Sequence, residues 1–169
     1  MDRGIGSILI VEDNRTERLL IKEAFQELGV KDAVHILDDG EDAIAFLKGK
    51  GEYSDRKKFK FPTLLVTDLR MPRVNGFELL SFIKRSHLII IPTIVLTASC
   101  DLADIKQAYL LGVNAFHKKP ENREGFLQLL KNLHDYWHDV ELPEIDENGN
   151  FKPANGTHKL GLNIRPLIG

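Results

Sequence analysis

Three carboxylates, a hydroxyl and an ammonium stand at the ends of four short apolar runs. Ile8-Leu9-Ile10-Val11 ends in Glu12-Asp13, and Thr63-Leu64-Leu65-Val66-Thr67 ends in Asp68. Thr93-Ile94-Val95-Leu96 ends in Thr97-Ala98-Ser99, and Ala115-Phe116-His117-Lys118 leads into Lys119-Pro120. Each run has the length and apolar character of a buried parallel strand. In a parallel sheet all carboxyl ends lie on one edge, which is where open α/β sheets bind ligands. Glu12, Asp13, Asp68, Thr97 and Lys119 are therefore expected to converge on one small site.

That set suits a divalent cation and one phosphoryl group. Mg²⁺ is a hard ion that takes oxygen ligands and keeps several waters. Asp13 and Asp68 could ligate Mg²⁺ (or Mn²⁺) directly, and the longer Glu12 through a water. Close carboxylates repel one another, which raises a pKa unless a cation relieves the repulsion. The Asp68 carboxylate is then placed to attack phosphorus and form an aspartyl phosphate. Phosphoryl transfer needs mainly positioning and charge neutralisation. Lys119 can neutralise one phosphoryl oxygen, while the Thr97 hydroxyl and the Ala98 backbone N–H donate to others. A cis Lys119–Pro120 peptide bond, inexpensive before proline, would aim the lysine inward.

The elements that must position these groups alternate between strand and helix patterns, which indicates βαβ units. After a first strand over about 7–12, Asn14 reads as an N-cap. Leu20, Ala24, Phe25 and Leu28 then give a helix face ending at Gly29. Residues 33–37 read as a second strand. Asp38-Asp39-Gly40 is a turn, and a short helix runs on to Leu47. Asn75-Gly76 opens a helix carrying Phe77, Leu80 and Ile83. A weaker helix pattern covers 101–111, and a stronger one covers 121–140. The expected fold is α/β: one doubly wound, five-stranded parallel sheet in flavodoxin-like order 2-1-3-4-5, with helices on both faces. Residues 49–61 form a long, locally basic loop whose Arg56, Lys57, Lys58 and Lys60 read as a solvated face. Residues 88–91 read as packing at the entry to the fourth strand, with an exposed apolar patch as the alternative.

Taken alone, Asp68 would be an ordinary strand-end aspartate and Glu12-Asp13 an acidic helix start. Four motifs in order, each at a strand end, reinforce one another. Glu12-Asp13, Asp68 followed by Leu69-Arg70-Met71-Pro72 and Asn75-Gly76, Thr97-Ala98, and Lys119-Pro120 together resemble a response-regulator receiver domain of two-component signalling. The resemblance covers about residues 7–140. It implies a phosphorylation-activated switch in which Asp68 accepts a phosphoryl group from a sensor histidine kinase or phosphotransfer protein. It further implies the Arg70 backbone carbonyl as a metal ligand beside Glu12, Asp13 and Asp68, and Phe116 as the switch aromatic. Phe116 departs from the tyrosine often found there, so burial alone must set its preference. The 49–61 loop and residues 136–143 are similar to the small stand-alone regulators that pair with bacterial phytochrome-type kinases.

Residues 1–140 are thus expected to be the receiver domain. Residues 141–169, with three prolines and few apolar residues, form a tail that is flexible or packed on a partner, with no output domain. Signalling would then pass to a downstream protein, or to a homodimer, through the face built by 101–140, where Tyr109 and Trp137 supply aromatic contacts.

The remaining readings narrow the class. A chain of 169 residues with 43% hydrophobic and 28% charged residues is ordinary for a globular domain. A formal net charge of −2 disfavours general binding to nucleic acid or anionic membrane. No stretch reaches the roughly 18 apolar residues of a membrane span. The lone Cys100 reads as an inert, partly buried thiol in a reducing compartment, and with no apolar leader a cytoplasmic location is expected. An aspartyl-phosphate phosphatase would carry a second acid two residues after its nucleophile, where this chain has Arg70. A nucleotide-binding protein would have a glycine-rich loop after the first strand, where Glu12-Asp13 would repel phosphates. A scaffold that never takes phosphate would lack one of the acids or Lys119. The chain is therefore expected to be no enzyme beyond assisting its own phosphorylation and dephosphorylation.

Overall fold

The structure is a computed structural model that describes residues 7–30, 34–86 and 91–152. Five parallel strands, β1 (Ile8–Val11), β2 (Val34–Leu37), β3 (Leu64–Thr67), β4 (Thr93–Thr97) and β5 (Ala115–Lys118), pair in the order β2-β1-β3-β4-β5. Between them run α1 (Arg15–Glu27), α2 (Gly40–Lys48), α3 (Gly76–Arg85), α4 (Leu102–Leu110) and, last, α5 (Arg123–Asp139). This is the doubly wound order expected from the sequence. The order reverses at β1, so the crevice between the carboxyl ends of β1 and β3 is the natural ligand position.

Strand alternation divides the core. Ile8, Ile10, Leu64, Val66, Ile94 and Leu96 face one way, against Ile21 and Phe25 of α1 and Phe126 and Leu130 of α5. Leu9, Val11 and Leu65 face the other way, against Ala43, Phe46 and Leu79, and Val95 meets Leu80 and Ala108. Both faces are covered, which explains why β1, β3 and β4 read as continuous apolar runs. The helix faces differ in detail from the sequence pattern: on α1, Ile21 is fully buried and Leu20 only partly. Asn14 caps α1, with its side chain accepting from the Glu17 N–H, and Gly29 follows the helix at φ +76°.

The 49–61 segment is more ordered than a solvated loop. It contains a 3₁₀ turn (Gly51–Ser54), and its Tyr53 and Phe61 are buried beside Phe46. Arg56 is not part of a solvated basic face. Its guanidinium donates to the Phe46 and Leu47 carbonyls at the end of α2, at 2.8 and 2.7 Å, and to the Phe59 carbonyl at 3.3 Å, tying the segment to the helix end. Lys57, Lys58 and Lys60 are exposed. Beyond α5, Ile145 and Phe151 form an antiparallel bridge around a turn held by Asp146. Ile145 packs on the Phe46 cluster, and Gly149 lies so close to the Phe61 ring that a Cβ would sit 2.6 Å from it. Residues 153–169, and 88–90 of the apolar run before Pro92, lie outside the described residues, while Ile91 is buried. Cys100 is exposed, not partly buried, because it stands in the open turn between β4 and α4. Among the described residues no helix is long and apolar enough to cross a membrane.

Candidate functional site

Register places the acids. The Asp68 N–H donates to the Val11 carbonyl at 3.0 Å and the Glu12 N–H to the Leu37 carbonyl at 2.9 Å, each continuing a ladder one step past its strand. Glu12, Asp13 and Asp68 thereby bring carboxylate oxygens within 4.8 Å of one another. Arg18 of α1 holds the turn that carries the first two, donating to the Glu12 and Asp13 carbonyls at 2.9 and 2.7 Å. Glu12 and Asp68 are buried, while Asp13 is exposed at the mouth.

Asp68 is fixed from several sides. Its Oδ1 accepts from the backbone N–H groups of Leu69 and Arg70 at 2.5 and 3.3 Å. Gly76 closes over the same turn: its N–H donates to the Leu69 carbonyl, and a Cβ there would lie 2.2 Å from the Asp68 carbonyl oxygen. Asn75 and Glu78 form a complete capping box beside it. The Asn75-Gly76 motif thus starts a helix and also lets that helix touch the backbone of Asp68.

Lys119 arrives from the end of β5. Its N–H donates to the Thr97 carbonyl at 2.8 Å, and its Nζ lies 2.6 Å from Glu12 Oε2, 2.7 Å from Asp68 Oδ2 and 2.5 Å from Glu17 Oε2. The Lys119–Pro120 bond is trans, since no cis peptide bond occurs among the described residues. The strand register and three carboxylates suffice to draw the side chain inward. Lys118, by contrast, is exposed. Burial opposes charge on Lys119, but hydrogen bonds to Asp68, Glu12 and Glu17 outweigh it and raise its pKa. Burial pushes Glu12 up to about 7, and the bond to Lys119 offsets only part of that. Glu12, Asp13, Glu17 and Asp68 set four carboxyl groups around the one Lys119 ammonium, an acid-rich donor set of the kind a cation site needs.

Thr97 ends β4, with its hydroxyl buried and without a hydrogen-bond partner. An orphaned buried hydroxyl is costly, and a ligand oxygen would satisfy it. Ala98 follows at the exposed rim. These residues fit a divalent cation and an oxyanion side by side: hard carboxylate donors on one flank, an ammonium and a free hydroxyl on the other. Phe116 sits lower on β5, opposite Val95 and partly buried against the cluster of Leu69, Leu80 and Val113. The Arg70 side chain turns away from the acids, its guanidinium 2.5 Å from Asp104 of α4.

Glu17 is the site residue that sequence reading missed. The Asn14-Arg15-Thr16-Glu17 pattern signals a helix cap, and nothing local reveals a contact with residue 119. A second acidic group, Asp38, Asp39 and Asp42, already holds Arg73, whose guanidinium pairs with Asp39.

A sheet with this order and an acid–lysine cluster at its switch point defines a class of protein, and comparison with known proteins agrees. Residues 8–131 match the response regulator receiver domain family. The chain belongs to that family and is homologous to phosphorylation-activated response regulators. It is 37% identical over 134 residues to the probable methanogenesis regulatory protein FilR2 of Methanothrix harundinacea, a match spanning 77% of this chain and 82% of that one. It is 33% identical to response regulator Rcp1 of Synechocystis sp., over 77% of this chain and 87% of Rcp1. The crystal structure of the phosphorylated cyanobacterial phytochrome response regulator RcpA superposes with a TM-score of 0.76 at 34% identity, covering 82% of this chain and 99% of RcpA. Rcp1 is also known in a Mn²⁺-bound form, with a TM-score of 0.75.

Proposed function

We propose that this receiver domain is switched by metal-dependent phosphorylation of Asp68. The observation that carries the reading is the convergence of Glu12, Asp13, Asp68 and Lys119 from three strand ends, beside the unpartnered hydroxyl of Thr97. An Asp68 carboxylate oxygen attacks the phosphorus of a phosphohistidine on a sensor kinase. The new O–P bond forms as the P–N bond breaks, and the imidazole leaves. Glu12, Asp13, Asp68 and the Arg70 carbonyl would hold Mg²⁺ or Mn²⁺, which supplies charge neutralisation for the transferring group. Lys119 donates to one phosphoryl oxygen, and Thr97 Oγ1 and the Ala98 N–H donate to others.

The similarity to Rcp1 and RcpA supports a phytochrome-type kinase as the donor. Movement of Thr97 toward the phosphoryl group would open space for Phe116 to turn inward. That changes the surface of α4, β5 and α5, a two-state element biased by one bond. Tyr109, Leu110 and Tyr136 are exposed there and suit a second protein surface, a homodimer partner or a downstream target.

The test is incubation with a small phosphodonor and Mg²⁺, read by intact mass. One phosphoryl group should be added to the native protein and none to Asp68→Asn. Equal labelling of that variant, or labelling in excess chelator, would refute the assignment.

A further inference from the structure

Three carboxylates crowd the Lys119 ammonium: Nζ donates to Glu12 and Asp68, and Glu17 Oε2 lies 2.5 Å away as an ion pair. Two of these belong to the acidic cluster with Asp13, and Glu17 does not. Glu17 stands in the first turn of α1, where a glutamate ordinarily reaches back to the N-cap N–H. Here Glu12 Oε1 accepts that N–H from Asn14 at 3.0 Å instead. Glu17 is therefore released from capping, and its carboxylate reaches across to the lysine.

Accepting the phosphoryl reading above, on which this inference rests, we infer that Glu17 is a positioning residue that competes with the phosphoryl group for Lys119. A cation would draw the Glu12 and Asp68 oxygens toward itself and free two lysine donors. Glu17 is the acceptor that the lysine keeps. A phosphoryl oxygen must then displace or share with a carboxylate 2.5 Å from Nζ. Charge acts in the same direction. Four carboxyl groups, Glu12, Asp13, Glu17 and Asp68, gather around one ammonium, and an incoming anion meets their field. Both effects make Glu17 a brake on the phosphorylated state. Its removal should have opposite consequences for the two ligands: tighter binding of the anion, and equal or weaker binding of the cation that profits from negative charge.

The phosphoryl mimic beryllofluoride tests this without any phosphodonor. Binding to full-length protein saturated with Mg²⁺ is followed by fluorine NMR, and Mg²⁺ affinity is measured separately by calorimetry. Glu17→Gln should bind beryllofluoride about fivefold more tightly than the native protein, the size expected for one close ion pair in a partly exposed place. Its Mg²⁺ affinity should be unchanged or lower. Glu23→Gln, on the same helix but paired with Arg123, should match the native protein in both. In a Lys119→Met background the gain from Glu17→Gln should shrink to under about twofold, since the effect runs through the lysine. Loss of both affinities in Glu17→Gln would mark a merely structural role and overturn the inference. So would unchanged anion affinity, or a full gain retained without Lys119. A native protein that binds Mg²⁺ but no beryllofluoride would overturn the phosphoryl reading itself and this inference with it.

Discussion

Asn14-Arg15-Thr16-Glu17 opens α1, and Asn75-Gly76-Phe77-Glu78 opens α3. In both, the asparagine side chain accepts the glutamate N–H, at 3.1 and 3.0 Å. There the likeness stops. Glu78 Oε2 returns to the Asn75 N–H at 2.8 Å and closes the box. Glu17 leaves its cap to Glu12 and joins Lys119. The second positions diverge as well. Gly76 presses on the Asp68 backbone, whereas Arg15 is exposed. One local pattern serves two purposes because the partners come from elsewhere in the chain: Lys119 in one case, the end of β3 in the other.

The largest expected effect falls on the second position. Gly76→Ala should cost about 3 kcal/mol in urea unfolding, because the added Cβ meets backbone that cannot step aside. Arg15→Ala should change stability by less than about 0.5 kcal/mol. Equal losses would erase the distinction between the two helix starts.

Next comes the cluster's proton. Burial raises Glu12 from 4.5 to about 7, so between those values the folded state holds a proton that the unfolded chain has released. The metal-free stability contributed by Glu12 is therefore fully present below about pH 4.5 and lost as pH rises toward 7. Cation binding has the opposite sign, since it needs the carboxylate. Mg²⁺ affinity should be about tenfold weaker at pH 6 than at pH 8, and Glu12→Gln should flatten the profile. A native profile independent of pH would show that Glu12 takes no part.

The smallest effect is in the caps themselves. Asn14→Ala and Asn75→Ala should each cost about 1 kcal/mol. Asn75→Ala combined with Glu78→Ala should lose somewhat more, because the pair also removes the bond from the Asn75 N–H to Glu78. Denaturant midpoints resolve the two, and a clearly larger loss at Asn14 would reverse the comparison.

These contrasts mark what the residues disclose before any fold is known. The ends of β1, β3 and β4 are legible because burial on both faces leaves continuous apolar runs; β5, a partly buried edge strand, is marked instead by Lys119-Pro120, and parallel strands must share an edge. Glu12, Asp13, Asp68, Thr97 and Lys119 followed from that. The Gly76 contact was legible only as a helix start. The requirement for glycine arises from the closeness of α3 to Asp68, and no periodicity encodes it. Glu17 was hidden for a stronger reason, since its local signature favours a different bond. Arg56 in a basic run resembles a solvated surface residue, and only the fold shows that carbonyls at the end of α2 accept from its guanidinium. Gly149 belongs to a segment that reads as tail, because its contact with Phe61 lies 88 positions away.

The central claim is that Asp68 is the residue that takes the phosphoryl group. Borohydride reduction of protein treated with phosphodonor and Mg²⁺ converts an acylated aspartate to homoserine, which peptide mass spectrometry locates. The account predicts homoserine at position 68 and unmodified Asp13 and Asp38. Reduction at another carboxylate, or none at 68 when the intact mass shows a phosphoryl group, would contradict it.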